Sequence, residues 1–247
     1  MNQPGYLQYF GAVDKILAEI KATQGTRIEE AAQRICDAVA ADNIVHIFGA
    51  GHSNLLAEEV FFRAGTLAPI NHVVDISIAG NVAVTKSAFL ERLEGIGPVL
   101  YNHLRPRPGD LFIIISNAGR NAAPVELASE AKKHGHFVIA LTSVIYSKSQ
   151  PSRHSSGKLL LDHADLVLDN CGRVGDVCVP IPGMTHEVGP TSTIAGAYIL
   201  HAMMTQAVFN LIEAGIDPPF FISGNFDGGM EYNERLLNKY WRRIRNW

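Results

Sequence analysis

Cysteine is scarce in this chain. Cys36, Cys171 and Cys178 are the only three, too few for a disulfide framework, and Cys171 and Cys178 stand seven positions apart, which is no zinc-pair spacing. They read as ordinary reduced thiols, and no metal site is expected. A basic surplus is lacking too: 21 Lys and Arg face 24 Asp and Glu, for a net charge of -3. That balance gives no electrostatic case for nucleic acid or an anionic membrane as partner. No uninterrupted apolar run approaches the roughly 18 residues of a membrane-spanning helix, and no basic N-terminal segment precedes an apolar core. We therefore expect a soluble, cytoplasmic protein.

What the sequence does have is an ordinary globular balance, 47% hydrophobic and 18% charged, over 247 residues, enough to bury a large core. Its most telling stretch is 43–65. An apolar run, Ile44 to Phe48, turns through Gly49-Ala50-Gly51-His52-Ser53-Asn54 and continues as a helix-like segment from Leu55 to Ala64. Strand, glycine turn and helix together form a unit that cradles phosphate: glycine lets the backbone approach an anion, and the helix start supplies free N–H groups and a positive dipole end.

The rest of the chain repeats that grammar. Residues 6–42 carry two helical patterns broken at Gly25 and Thr26. They have too little Arg and Lys for a DNA-binding helix-turn-helix. Strands are expected over 70–78, 111–115, 137–142 and 165–169, and a helix interrupted by Gly95, Gly97 and Pro98 lies within 89–104. Ala79-Gly80-Asn81 reads as a loop, as does Cys171 to Gly189; 158–163 is a short helix or strand. Helices follow over 125–133, 194–213 and 231–245. Strands alternating with helices across short glycine turns imply a parallel sheet covered on both faces. We read a single domain over 1–247: N-terminal helices at 1–42, an α/β core at 43–215 and a C-terminal extension at 216–247.

Three loops fall at the ends of strands or the starts of helices, the ligand-binding edge of such a sheet. They are Gly49 to Asn54, Ser116 to Asn121 and Pro190 to Thr193. Each sets hydroxyls or amides beside helix N–H groups, although Thr191, Ser192 and Thr193 would serve equally as plain helix caps. A dinucleotide site is the competing reading of the first loop. Its fingerprint needs a third glycine, and Asn54 stands there; the acid at the end of the next strand, Asp75, is 24 residues past Gly51. The missing glycine and the hydroxyls of the later loops argue against a nicotinamide-dependent oxidoreductase, and no cofactor is expected.

The order of Gly49-x-Gly51-x-Ser53, then Ile114 to Asn121, then Ala164-Asp165, then Glu187 to Thr193 resembles the sugar isomerase (SIS) domain, and within it phosphoheptose-isomerase-like proteins. The resemblance covers roughly 5–215. It implies a three-layer α/β/α sandwich on a five-stranded, flavodoxin-like parallel sheet, a phosphorylated-sugar ligand, and homodimers or homotetramers with sites near subunit interfaces. Phosphate would lie against Gly51, Ser53 and Asn54, against Ser116, Asn117, Gly119 and Asn121, and against Thr191, Ser192 and Thr193. The second loop departs from the family pattern: Ala118 replaces a serine and Asn121 a final hydroxyl.

Aldose–ketose isomerisation needs a base that moves a proton between C1 and C2 and usually a second acid–base group. The family places a glutamate ten residues past the first-loop serine, where Arg63 stands here. Glu58 and Glu59 lie one turn earlier, Glu58 as a surface acid and Glu59 as a candidate base. His201 is about one turn too far along the helix after the third loop and reads as a packed core histidine. Glu187, beside His186, and His52, within the first loop, complete the candidate catalytic set. The polar loops 152–158 and 223–229 are rich enough in donors to bear on a site. The expected activity is a sugar-phosphate isomerase, or a related lyase acting through an enediol or enediolate; the alternative is a non-catalytic phosphosugar sensor.

Overall fold

The computed structural model describes residues 3–80 and 82–244. Five strands, β1 (Val45–Gly49), β2 (Ile70–Val73), β3 (Leu111–Ile115), β4 (Val138–Thr142) and β5 (Leu166–Asp169), form one parallel sheet in the order β2-β1-β3-β4-β5. The run Leu111 to Ile115 is apolar throughout because both faces are covered. Side chains alternate across the sheet. Val45, Ile47, Ile113, Ile115, Ile139 and Leu141 pack into one core with the helices α2 (Gly25–Ala40), α3 (Ser53–Glu59) and α8 (Ser192–Glu213). Phe48, Phe112, Ile114, Val138 and Ala140 face the opposite core, built with α5 (Ile96–Leu104) and α6 (Ala122–Lys133). The result is a three-layer α/β/α sandwich. The N-terminal helix α1 (Gly5–Thr23) lies against this body through Ile16 and Ile20, and α9 (Gly229–Tyr240) against a third cluster around Ile44 and Phe221.

Several boundaries differ from those read in the sequence. α3 ends at Glu59, not Ala64: Phe62 takes a left-handed φ of 46°, and its ring meets Phe221 edge-on at 4.9 Å. β2 stops at Val73. The segment 84–104 is two helices, α4 (Val84–Leu90) and α5, separated by the left-handed Gly95, with Gly97 and Pro98 inside the first turn of α5 where the free N–H makes proline harmless. A short α7 (Val144–Lys148) follows β4, and Leu160–Asp162 is a 3-10 turn. The presumed loop 171–189 contains an antiparallel hairpin, β6 (Val177–Pro180) with β7 (Glu187–Pro190). Asn81, Arg245 and the residues after it lie outside the described residues.

α8 is long and apolar enough by length and composition to cross a membrane, yet one face of it, from Ala195 to Leu211, is buried in the core. At the opposite edge of the sheet, Asp110 closes the lower end of β1 and β3. It accepts bonds from the N–H groups of Ile44 (2.9 Å) and Arg107 (2.7 Å) and from Arg243 Nη2 (2.9 Å). His46 Nε2 lies 3.3 Å from the same carboxylate, and its Nδ1 meets the amide of Asn71 at 2.9 Å. Burial alone would raise the Asp110 pKa, but the bonds from His46, Ile44 and Arg107 hold it below the usual carboxylate range.

Candidate functional site

In the order β2-β1-β3 the chain leaves β1 to one side and returns on the other, so a crevice opens above the carboxyl ends of β1 and β3. The first loop reaches it through a turn only glycine permits: a Cβ on Gly49 would stand 2.3 Å from the Ser53 carbonyl oxygen. Gly51 has a φ of 57°, donates its N–H to Ile78 O at 2.9 Å and bridges Ala79, which fixes the loop against 78–80.

A cavity of about 120 Å³ lies in the crevice, lined by His52, Ser53, Leu56, Ile115, Asn117, Leu141, Asn170, Asp176, Ser192 and Thr193. It is small beside the roughly 300–1,000 Å³ of most ligand pockets, so a sugar phosphate would extend outward from it. Ser116 Oγ accepts the Gly119 N–H at 3.2 Å and shapes the second loop from within. The Asn117 carboxamide accepts from Asn170 Nδ2 at 2.9 Å. Asn121 is held between Glu91, whose Oε1 takes its Nδ2 at 2.8 Å, and Arg153, which donates to its Oδ1 at 3.0 Å. Burial raises the Glu91 pKa against the pull of Arg92 and Arg153, and that carboxylate lies 3.8 Å from where a Cβ on Gly51 would stand.

The SIS domain model matches residues 8–143 of this chain. The UPF0309 proteins of Geobacillus kaustophilus and Thermoanaerobacter pseudethanolicus are 40% and 41% identical over 96% and 97% of this chain and 94% and 99% of their own lengths. This chain belongs to the SIS-domain UPF0309 family. Among solved structures, a phosphoheptose isomerase from Neisseria gonorrhoeae has a TM-score of 0.53 at 18% identity, covering 80% of this chain and 94% of its own. One from Francisella tularensis has a TM-score of 0.53 at 17% identity, covering 81% and 94%. At those identities the likeness is one of fold.

The SIS crevice brings together His52, Ser53, Asn117, Ser192 and Thr193 of the expected residues, with Gly51, Ser116, Gly119 and Asn121 in the loops around them. Other expected residues are engaged elsewhere. Asn54 is buried, and its Oδ1 accepts from His72 Nε2 at 2.8 Å, a partner on β2. Thr191 is buried at the cavity's edge, its N–H given to Asp176 at 3.1 Å. Glu59 forms an ion pair with Arg63 (3.2 Å) and reaches His201 Nε2 at 3.1 Å on the outer side of α8. His201 is thus no core residue, its side chain being 40% exposed: the glutamate displaced one turn back and the histidine one turn forward meet each other. Glu187 sits on β7 in a separate depression shared with Arg173 and α1.

Sequence reasoning missed Asp176, Asn170 and Glu91. Asp176 sits in what read as a glycine-rich loop, Asn170 directly before that loop, and Glu91 in a helix whose boundaries were indistinct. Loop 152–158 is latched near the second loop: Ser155 gives its N–H and hydroxyl to Glu94 at 2.6 and 2.8 Å, and Glu126 takes the N–H groups of Gly95 and Gly97 at 2.7 and 2.9 Å. With His154, these are the one group among the described residues whose ligand atoms, within 4.8 Å of one another, could hold a metal ion. All four carboxylate oxygens already accept bonds, so the group works as a latch. Loop 223–229 folds on itself, Phe226 N–H to Ser223 O at 3.1 Å, ahead of α9. The three cysteines are free. Burial and then Asp169 push the Cys171 thiol up to about 11, and burial raises Cys36 and Cys178, so none is a ready nucleophile at neutral pH.

Proposed function

We propose that this protein binds a phosphorylated sugar in the crevice above β1 and β3 and interconverts its aldose and ketose forms through an enediolate. The observation that carries this reading is the cavity at the switch point, where His52 meets the hydroxyls of Ser53, Ser192 and Thr193 and the amides of Asn117 and Asn170. Such a lining suits a polyhydroxylated ligand, and His52 is the titratable member of the expected catalytic set that faces it. His52 would take the proton from C2 and return it to C1, while the amides and hydroxyls hold the ligand oxygens. Two structural neighbours being phosphoheptose isomerases supports the same reaction class. The reading places the protein in the cytoplasm as an assembly of two or four copies.

A sensor that binds the same ligand without chemistry is favoured by Glu59, which pairs with Arg63 and does not line the cavity. One experiment separates the two. Sugar phosphates are ranked by thermal shift, and the best is incubated with enzyme in deuterium oxide. Exchange at C1 or C2 that is lost in His52→Gln, with the thermal shift kept, supports the isomerase. Binding with no exchange in the wild type leaves only the sensor.

A further inference from the structure

The family resemblance puts phosphate against the start of α8, and the structure fills that place with the protein's own anion. The Asp176 carboxylate accepts from Ser192 N (2.8 Å), Thr191 N (3.1 Å) and Ser192 Oγ (2.6 Å), with Thr191 Oγ1 at 3.4 Å. Asp176 adopts a φ of 61°, a left-handed conformation that aspartate tolerates better than most residues, and so turns back onto the helix end. α8 is 22 residues long, and the donors and dipole of its first turn are those an anion seeks. With a carboxylate already there, a phosphate brought to the same end meets like charge.

At the second loop the charge is of the other sign. Arg120 belongs to the second loop itself. Arg153 donates its N–H to Arg120 O at 2.9 Å and its guanidinium to Asn121 at 3.0 Å. Arg92 follows Glu91, which holds the other end of the Asn121 amide. Arg153 is thus the guanidinium on Asn121, and burial and then the charges of Arg92 and Arg120 lower its pKa. Arg120 donates Nη1 to Gln150 Oε1 at 3.4 Å, but its Nε is buried with no acceptor, as is Ser147 Oγ beneath the same loop, 2.7 Å from where a Cβ on Gly119 would stand. A buried donor without a partner is costly, and planar guanidiniums are the side chains that answer phosphate best.

We propose that Arg120 and Arg153 seat the ligand's phosphate at the second loop, and that Asp176 reserves the start of α8 for the uncharged, hydroxyl-bearing end. Asp176 then fixes which way round the sugar phosphate lies, and the second loop has exchanged the family's hydroxyls for guanidiniums. This rests on the ligand being a sugar phosphate. In that orientation the carbonyl end lies in the cavity beside His52 and the phosphate outside it, as the chemistry proposed above requires.

The test is calorimetric titration of inorganic phosphate into the full-length protein and its variants. Arg120→Gln and Arg153→Gln are expected to weaken phosphate at least tenfold. Ser192→Ala and Asp176→Asn, the latter keeping the shape of the cap without its charge, are expected to leave it within twofold. Arginine variants that bind as the wild type does, a tenfold loss in Ser192→Ala, tighter binding in Asp176→Asn, or a wild type that binds no phosphate would each overturn the assignment. The isomerase reading fails separately: phosphate bound as expected without proton exchange on any sugar phosphate removes the chemistry and leaves the orientation standing.

Discussion

His72 shows how one residue can be structural while standing next to a loop that looks functional. It is buried on β2, with its Nε2–H donated to Asn54 Oδ1 at 2.8 Å, and burial pushes its pKa down to about 4 from 6.5. Between those two values the unfolded chain binds a proton that the folded one refuses. Stability is therefore whole above pH 6.5 and declines as the pH falls, by up to about 3 kcal/mol near pH 4. Urea denaturation at a series of pH values should show this slope in the wild type and a shallower one in His72→Gln, which keeps a donor for Asn54 and does not titrate in that range. Equal slopes would mean that other histidines carry the acid sensitivity. Asn54 also marks the limit of reading side chains from a motif. Its place in a phosphate-type loop was legible, but its partner is 18 residues away on another strand, and only folding brings the two together.

At the scale of elements, the turn from β1 to α3 is the tightest constraint on the crevice. Because a Cβ on Gly49 would fall 2.3 Å from a backbone carbonyl oxygen, Gly49→Ala must move the start of α3. We expect a loss of about 1–3 kcal/mol, read as a lower melting temperature, together with loss of any ligand-induced thermal shift. A variant that melts like the wild type and binds as well would show that the loop is more pliant than its packing suggests. The same turn was readable in advance, as were β1, β3 and β4, because fully covered strands are apolar runs bounded by glycine and polar turns, and β5 was readable as a short apolar run between aspartates. The β6–β7 hairpin was not readable. Its strands are four residues each and contain Pro180, Gly189 and Pro190, so local preference spoke for a loop. The end of α3 was hidden for the opposite reason: apolar spacing continues through Phe61 and Phe62, but those rings pack on the chain around His72 and Phe221. The site suffers most from this, since Asp176, which fills the start of α8, rides on the segment leading into that hairpin.

For the molecule as a whole, two surfaces decide how it holds together. Beneath the sheet, Arg243 ties the C-terminal extension to Asp110, with side chains only 12% and 2% exposed. Arg243→Ala leaves that carboxylate to His46 and two N–H groups, and breaking a buried pair of this kind should cost about 3–5 kcal/mol in urea denaturation; a loss below about 1 kcal/mol would show that water replaces the guanidinium. The other surface faces outward. α8 buries one side in the core and leaves Ile194, Phe209 and Ile212 at 42%, 57% and 57% exposure; Ile194 and Phe209 line an open groove of about 570 Å³ with Tyr198 and His201. Isolated exposed apolar residues are ordinary, but a row along one long helix is the mark of a covered face. Light scattering on the purified chain should therefore give a multiple of 26.9 kDa, two or four copies. Phe209→Glu with Ile212→Glu should shift it to the single-chain mass while circular dichroism keeps the same helix content, because neither side chain belongs to the core. A wild type that runs as one chain at micromolar concentration would leave the groove without a partner. In that case the Glu59–His201 pair on its rim would be a solvent-facing ion pair, and the crevice above β1 and β3 would have to work within a single subunit.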